Sequence, residues 1–288
     1  MNPLIIEHLG RDIRHGFLGR RLTLLDDISF EVAPGQTVGF VGRNGAGKTT
    51  TIRCIVGLSR PSRGSISVFG GPPRDPAVRR QLGYLPESVI LPGSLTVQET
   101  LRLHAALAGV VVDEGACLRE VDLIDVRRRL VRDLSKGLQT RLGLALVFLS
   151  KPKLLILDEP MSGLDPVGRQ LVRDLIRQNA VDGASVLFSS HVLSDVEALS
   201  DRVVVIEKGR IVHQGPVATS GRGWEILTVP PAGLAIEGQR KEAGLVVFER
   251  DDDGLAAAQE LRSQGHEVRI VRPARSSLES QINSILSA

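Results

Sequence analysis

The apolar positions of the chain follow two different periods, which alternate along most of the sequence. Short runs rich in Val, Ile and Leu predict strands, and segments with an apolar residue every three or four positions predict amphipathic helices. The predicted strands cover residues 24–32, 37–41, 65–69, 153–158, 184–189 and 202–206, and the predicted helices cover residues 50–56, 136–149, 166–180 and 193–199. Alternating strands and helices predict an α/β fold with a parallel sheet covered on both faces.

Two regions depart from this alternation. Residues 92–134 are predicted to be mostly helical, with a capping box at residues 96–99, and we expect a helical subdomain at about residues 88–140. Near residues 216–223 the composition changes to Pro, Gly, Ser and Thr, which indicates a linker. We therefore expect a first domain over residues 1–218 and a small α/β appendage over residues 219–288.

The appendage has its own predicted elements. They are strands at 225–229, 245–249 and 266–271, a helix at 255–264, and a final amphipathic helix with Leu278, Ile282 and Ile285 on one face and a capping box formed by Ser276 and Glu279.

Composition and charge narrow the class of protein. The 288 residues are 42% hydrophobic and 24% charged, as in an ordinary soluble globular protein, and the net charge of +3 is mild. The basic cluster at residues 127–132 is more typical of a solvated helix face than of a nucleic-acid groove. Cys54 and Cys117 lie far apart without metal-ligand spacing, which favours a reducing cytosol.

No segment is predicted to cross a membrane. The longest apolar run, residues 142–149, is far shorter than the roughly 20 residues that a membrane helix needs. The first residues lack the basic and apolar layout of a signal peptide. We expect any membrane role to come through another chain.

One glycine-rich stretch fits the phosphate-loop pattern G-x-x-x-x-G-K-[ST]. It consists of Gly42, Arg43, Asn44, Gly45, Ala46, Gly47, Lys48, Thr49 and Thr50. In this pattern backbone N–H groups surround the phosphates, Lys48 reaches the terminal phosphates and Thr49 offers a hydroxyl to Mg²⁺. A flexible turn with an exposed lysine is the alternative. The predicted strand before the loop and the helix after it favour phosphate binding.

Two carboxylates follow a buried strand farther along the chain. Four aliphatic residues at 154–157 precede Asp158 and Glu159, so the acids emerge at the end of the strand where open α/β sheets bind ligands. Asp158 would hold Mg²⁺ through water and Glu159 would polarise an attacking water. Alone, the pair could equally mark a loop boundary, but after a phosphate loop it favours a catalytic site.

A third segment begins the predicted helix 136–149. Ser135 stands at its N-cap with Gly137 close by, which creates a helix end suited to an anion. Taken alone, this segment is most simply a capped core helix.

Together these motifs resemble the ATP-binding cassette (ABC) transporter ATPases over about residues 4–215. Further segments add to the resemblance. The signature motif, commonly LSGGQ, is resembled in a variant form by Ser135, Lys136, Gly137 and Leu138. The D-loop is resembled by Ser162, Gly163, Leu164 and Asp165. His191 matches the H-loop histidine. The resemblance implies a P-loop NTPase fold with a mixed sheet and a helical subdomain, and ATP and Mg²⁺ as cofactors.

The chain departs from the family pattern at two places. Glu87 occupies the position usually held by the Q-loop glutamine, where a carboxylate could still act on Mg²⁺ but adds negative charge beside the phosphates. The aromatic residue that stacks on adenine in the family corresponds best to Phe17, with His15 as the nearest alternative.

The resemblance also implies a mechanism and partners. ATP on Lys48 and Thr49 of one cassette would be capped by Ser135 and Gly137 of a second, while Glu159 orients water and His191 contacts the γ-phosphate. The partners implied are a second cassette, identical or paired, and a separate membrane permease, with the chain peripheral on the cytoplasmic face of the membrane. The sequence around Glu87, the lysine in the signature and the small C-terminal domain look like type-2 exporters, so export is favoured over import.

Three other interpretations stay open from sequence alone. A soluble ABC-family switch acting on ribosomes or nucleic acid usually resembles tandem cassettes or carries coiled coils, and neither appears here. A different P-loop enzyme, such as a kinase, is disfavoured by the signature segment and the Asp158–Glu159 pair. A cassette that does not hydrolyse ATP is disfavoured by Glu159 and His191, although Glu87 keeps it open.

Overall fold

The computed structural model describes residues 1–15, 20–217, 224–229, 241–242, 245–250 and 254–273. The chain divides into two compact units, Met1–Pro216 and Val217–Ala288. The strands of the first unit are β1 (Leu4–His15), β2 (Arg20–Val32), β3 (Thr37–Val41), β4 (Arg63–Val68), β5 (Leu82–Leu85), β6 (Leu154–Leu157), β7 (Ser185–Ser190), β8 (Arg202–Glu207) and β9 (Arg210–Pro216). Its helices are α1 (Lys48–Ile55), α2 (Pro76–Arg79), α3 (Val97–Ala108), α4 (Glu114–Glu120), α5 (Lys136–Phe148), α6 (Pro166–Val181) and α7 (Leu193–Leu199).

The first unit is built on a six-stranded sheet with the order β5-β6-β7-β3-β8-β9. All neighbours in it are parallel except β8 and β9, which are antiparallel. β3, β6 and β7 are buried along their whole length, which explains their continuous apolar sequences. Because these three strands are neighbours, their carboxyl ends meet at one edge of the sheet. The predicted α/β fold is confirmed, and the antiparallel β9 makes the sheet mixed.

A second, antiparallel sheet has the order β2-β1-β4. Its apolar faces and the central sheet share one core, in which the rings of Phe30 on β2 and Phe40 on β3 stack 5.5 Å apart. The sequence pattern predicted β2 and β4 but not β1, whose pairing with both neighbours is interrupted by bulges that shift the apolar positions out of strict alternation.

The region between β5 and β6 contains α3, α4 and α5. The predicted capping box is present, since Thr96 accepts a hydrogen bond from the Glu99 N–H (3.2 Å) and Glu99 accepts one from the Thr96 N–H (2.8 Å). The predicted helical stretch consists of several short helices separated by loops. α3 ends at Gly109, whose φ is +68°, and only α4 and two short 3₁₀ turns, Ile124–Val126 and Val131–Asp133, lie between α3 and α5.

The second unit contains β10 (Trp224–Val229), β11 (Lys241–Glu242), β12 (Leu245–Arg250), α8 (Gly254–Ser263) and β13 (Glu267–Pro273). Its sheet has the order β11-β12-β10-β13 with antiparallel neighbours. Ala257, Ala258 and Leu261 of α8 pack with Ile226 of β10 in a small core. These elements match the predicted strands and first helix of the appendage. The predicted final helix, with Ser276 and Glu279, lies outside the described residues.

In the part of the chain that the structure describes, every helix is too short or too polar to cross a membrane.

Candidate nucleotide-binding site

The phosphate loop joins the end of β3 to the start of α1. Gly47 is the N-cap of α1 with φ +116°, and a Cβ there would stand 2.8 Å from Leu25 Cδ2, so a side chain meets both backbone strain and a clash. α1 then begins at Lys48, with the unpaired N–H groups and positive dipole end of its first turn at the loop. Local geometry therefore produces an anion-binding helix end.

Lys48 is a buried cation surrounded by backbone carbonyl oxygens and a carboxylate. Its side chain is 6% exposed. Nζ donates a hydrogen bond to the Gly42 carbonyl (2.6 Å) and lies 3.2 Å from Glu159 Oε1. The phosphate loop and the end of β6 are thus joined through this lysine.

Asp158 and Glu159 are held together by Ser189. The register of β6 and β7 pairs Leu157 with Phe188, which brings the next residues of the two strands side by side. Ser189 Oγ donates to Asp158 Oδ1 (2.7 Å) and accepts from the Glu159 N–H (2.8 Å). Glu159 has φ +50°, an unusual conformation for a residue with a side chain.

Sequence reasoning did not select Ser189. The sequence feature that could have identified it is a hydroxyl near the end of a strand that is apolar at its centre. β7 is buried along its whole length, and Ser189 itself is 0% exposed. A buried hydroxyl at the ligand-binding edge of a sheet needs a partner, and here both carboxylate residues supply one.

Burial raises the pKa of Asp158 above its ordinary value. Hydrogen bonds with Ser189 and Thr49 lower the pKa, while the charges of Glu87 and Glu159 raise it further. One oxygen of each acid, Asp158 Oδ2 and Glu159 Oε1, is buried without a hydrogen-bond partner. A cation close to Asp158 Oδ2 would favour the charged form of Asp158.

His191 follows β7 and contacts the same acid. Its Nδ1 lies 2.8 Å from Glu159 Oε2, while the side chain is 47% exposed. Lys48 and His191 therefore contact the two different oxygens of the Glu159 carboxylate, which fixes the orientation of that group.

These residues surround a cavity of about 280 Å³. It is lined by Leu24, Arg43, Asn44, Gly45, Gly47, Lys48, Thr49, Thr50, Glu87, Glu159, Ser162 and His191. Of these, Leu24 was not predicted as a site residue. Gly42, Ala46 and Asp158 lie buried behind the lining. The predicted Phe17 lies outside the described residues, and of its alternative, His15, the structure describes the backbone alone.

The signature segment is placed elsewhere. Ser135 caps α5 and accepts a weak hydrogen bond from the Leu138 N–H (3.4 Å), and both Ser135 and Lys136 are exposed. A Cβ on Gly137 would stand 2.9 Å from Leu164 Cδ2, so the signature packs closely on the predicted D-loop. Asp165 of that loop caps α6 by accepting from the Gly168 N–H (2.9 Å). Although all four signature residues are described, they are not among those that line the cavity.

A phosphate loop between a buried strand and a helix, with two acids at the end of another buried strand of the same sheet, defines a P-loop nucleotide-binding protein. Comparison with known proteins gives the family. Residues 25–162 match the ABC transporter family model. An uncharacterised ABC transporter ATP-binding protein of Nostoc sp. is 34% identical over 244 residues, which is 78% of this chain and 73% of that protein. The Nod factor export ATP-binding protein I of Burkholderia thailandensis is 36% identical over 203 residues, which is 68% of this chain and 67% of that protein.

A solved ATP-binding subunit of an ABC transporter, 34% identical, superposes with a TM-score of 0.66 and covers 74% of this chain and 90% of its own. The chain belongs to the family of ABC transporter ATP-binding proteins and is an ATPase of that family.

Proposed function

We propose that this chain hydrolyses ATP at the cavity between the phosphate loop and Glu159, and that it powers export through a separate membrane permease. The observation that carries the proposal is the pairing of Lys48 and Glu159 across one cavity, 3.2 Å apart. A buried cation suits the terminal phosphates of a nucleotide. A carboxylate beside it suits an attacking water, because phosphoryl transfer depends mainly on positioning and charge stabilisation.

Glu159 is the proposed catalytic residue and His191 its partner. In the structure His191 holds one Glu159 oxygen at 2.8 Å and Lys48 lies near the other. Phosphates entering the cavity would compete with Glu159 for Lys48. The acid would then be free to orient water while His191 contacts the γ-phosphate, the roles that the family resemblance implies.

Thr49, Asp158 and Glu87 are the residues that would hold Mg²⁺. Asp158 Oδ2 is a buried oxygen without a hydrogen-bond partner, and Thr49 interacts with the same carboxylate, which suits an oxygen-seeking cation. Among the described residues no group of three or more His, Cys, Asp and Glu side chains forms a metal cage. Nucleotide-bound Mg²⁺ does not need one, since phosphates and waters supply most of its ligands. When bound, the ion would neutralise charge on the phosphates.

The signature residues are proposed to act on the nucleotide of a second cassette. Ser135 and Lys136 are exposed at the start of α5, and the segment lies outside the cavity of its own chain. A helix end with an exposed N-cap hydroxyl has the chemistry to bind phosphate but no phosphate site of its own beside it. A head-to-tail pair, of identical or of related cassettes, would give each cavity such a cap.

The second element of the proposed function is export through a membrane partner. The Nod factor relative carries export in its name, and the sequence around Glu87 and the lysine of the signature look like the type-2 exporter class. The chain would then sit on the cytoplasmic face of the membrane, bound to its permease. No nucleic-acid partner is proposed, since the charge is mild and dispersed.

Co-purification from membranes tests this proposal. The tagged chain should be recovered from solubilised membranes together with a protein of several membrane spans. The recovered complex should hydrolyse ATP at a higher rate than the chain alone. A chain that remains wholly soluble and captures ribosomes or DNA would contradict the transport proposal while leaving the ATPase assignment intact.

A further inference from the structure

Two residues of opposite charge line a small cleft beside the nucleotide cavity. Glu87 and Lys136 face a cleft of about 120 Å³ whose other lining residues are all uncharged. Glu87 also lines the nucleotide cavity, so this residue borders both spaces. Lys136 is the first residue of α5 and belongs to the signature segment. The cleft therefore connects the surroundings of the nucleotide with the signature of the same chain.

Glu87 adds a third carboxylate to a site that already contains Asp158 and Glu159. It lines the same cavity as Lys48 and Glu159. Nucleotide phosphates are negative as well. Without a balancing cation, a carboxylate at this wall of the cavity would repel them.

Lys136 is placed to supply that cation. Its side chain extends over Gly163, with Cδ 3.6 Å and Nζ 3.9 Å from the position that a Cβ of this glycine would take. Gly163 has φ +73°, which favours glycine, and the lysine stem packs over it at ordinary van der Waals distance. The lysine stem is thus supported by the predicted D-loop where the residue lines the cleft.

We propose that Glu87 and Lys136 form a charge pair across the cleft, in which Lys136 draws the Glu87 carboxylate towards the cleft and away from the nucleotide phosphates, and so couples the nucleotide cavity to the signature helix. The proposal rests on the ATP-binding function proposed above. Both side chains are positioning residues here, acting on affinity through charge.

A double-mutant cycle on ATP affinity tests the pair. Binding of ATP is measured by calorimetry in EDTA for the wild type, Lys136→Gln, Glu87→Gln and the double variant. The chelator prevents hydrolysis and removes any Mg²⁺ contact of Glu87. The protein is kept at a dilution at which light scattering gives a monomer, so that Lys136 cannot act on the nucleotide of a second copy. Lys153→Gln is the matched control, because this exposed lysine precedes β6 at the end away from Asp158.

Lys136→Gln is expected to weaken ATP binding by about threefold to tenfold at low salt, and less at high salt, because the interaction acts through screened charges. The same change in the Glu87→Gln background should cost less than about twofold, since its partner is gone. Lys153→Gln should change the affinity less than about twofold, and the charge-reversed pair Glu87→Lys with Lys136→Glu should bind better than Lys136→Glu alone.

Equal effects of Lys136→Gln in both backgrounds, or an effect no larger than that of Lys153→Gln, would overturn the pair. The proposed function is tested separately in the same assay, because its failure would appear as a wild-type chain that does not bind ATP. Thermal unfolding of each variant excludes misfolding as the cause of an altered affinity.

Discussion

At the scale of single residues, the site depends on how one carboxylate is held. Glu159 is contacted by Lys48 at one oxygen and by His191 at the other, and its backbone N–H bonds to Ser189. These contacts keep an acid with an unusual backbone conformation at the wall of the cavity. The resting arrangement thus places the proposed catalytic group where phosphates would enter.

Replacing Lys48 by Ala should weaken ATP binding by roughly 10- to 100-fold, since a hydrogen bond to a charged group contributes about 1.5–3 kcal/mol. The measurement is a calorimetric titration with ATP. Lys153→Ala is the control, because this lysine is exposed and precedes β6 at the end away from Asp158. Normal ATP affinity in the Lys48 variant would show that the phosphate-loop assignment is wrong.

Ser189→Ala should lower the hydrolysis rate more than the ATP affinity. The change leaves the Glu159 N–H and one Asp158 oxygen without their partner, and each unsatisfied buried group costs about 1–3 kcal/mol. Steady-state kinetics separates the two effects as kcat and KM. Ser185→Ala, at the other end of β7, removes a buried hydroxyl that bonds to the Gly35 N–H and should leave kcat within about twofold. Equal loss in both variants would assign Ser189 a purely structural role.

How far sequence predicts such a site depends on the kind of residue. The phosphate loop and the two acids were predicted because each motif is local in sequence. Ser189 was not, because its partners lie 30 and 31 positions away and meet it only through the register of β6 and β7. Leu24 likewise reaches the cavity through tertiary packing.

At the scale of elements, the helix that follows His191 is tied to the helix that follows the predicted D-loop. Asp195 on α7 is 1% exposed and bonds to Arg173 on α6 (3.2 Å from Nε), with Arg169 at 3.8 Å. Arg169 in turn approaches the Met161 carbonyl at 3.4 Å. This buried ion network fixes α6 and α7 to each other and to the segment after Glu159.

Asp195→Ala should therefore destabilise the first unit by about 3 kcal/mol, the lower end for breaking a buried ion pair, because both arginines keep partial access to water. Urea unfolding followed by circular dichroism measures the loss. The matched control is Asp174→Ala, which removes an exposed ion pair with Arg177 on α6 and should cost no more than about 1 kcal/mol. Similar costs for both variants would contradict a buried network.

Prediction of the elements themselves was uneven for a physical reason. β3, β6 and β7 are buried on both faces, so their sequences are continuously apolar and easily identified. β9 alternates between exposed and half-buried positions at the edge of the sheet, and it carries too little apolar sequence to be predicted. β1 was missed because bulges break its alternation.

At the scale of the whole molecule, the nucleotide cavity and the signature segment lie at different points of one chain, although both are proposed to bind the phosphates of a nucleotide. The nucleotide cavity is lined by Lys48 and Glu159, while Ser135 lies exposed at the start of α5, away from the cavity lining. This separation is what the proposed pairing of two cassettes would resolve. Each copy would supply the cap that the other lacks, and loss of the γ-phosphate would remove the main attraction for that cap.

Light scattering of the Glu159→Gln variant with ATP and Mg²⁺ tests this account most directly. The amide keeps the shape of the side chain but cannot act as the base, so turnover should nearly cease while ATP still brings two copies together. The proposed pairing of two cassettes predicts a stable dimer in ATP and a monomer in ADP. A variant that hydrolyses ATP within a few-fold of the wild-type rate, or that stays monomeric in saturating ATP, would contradict it.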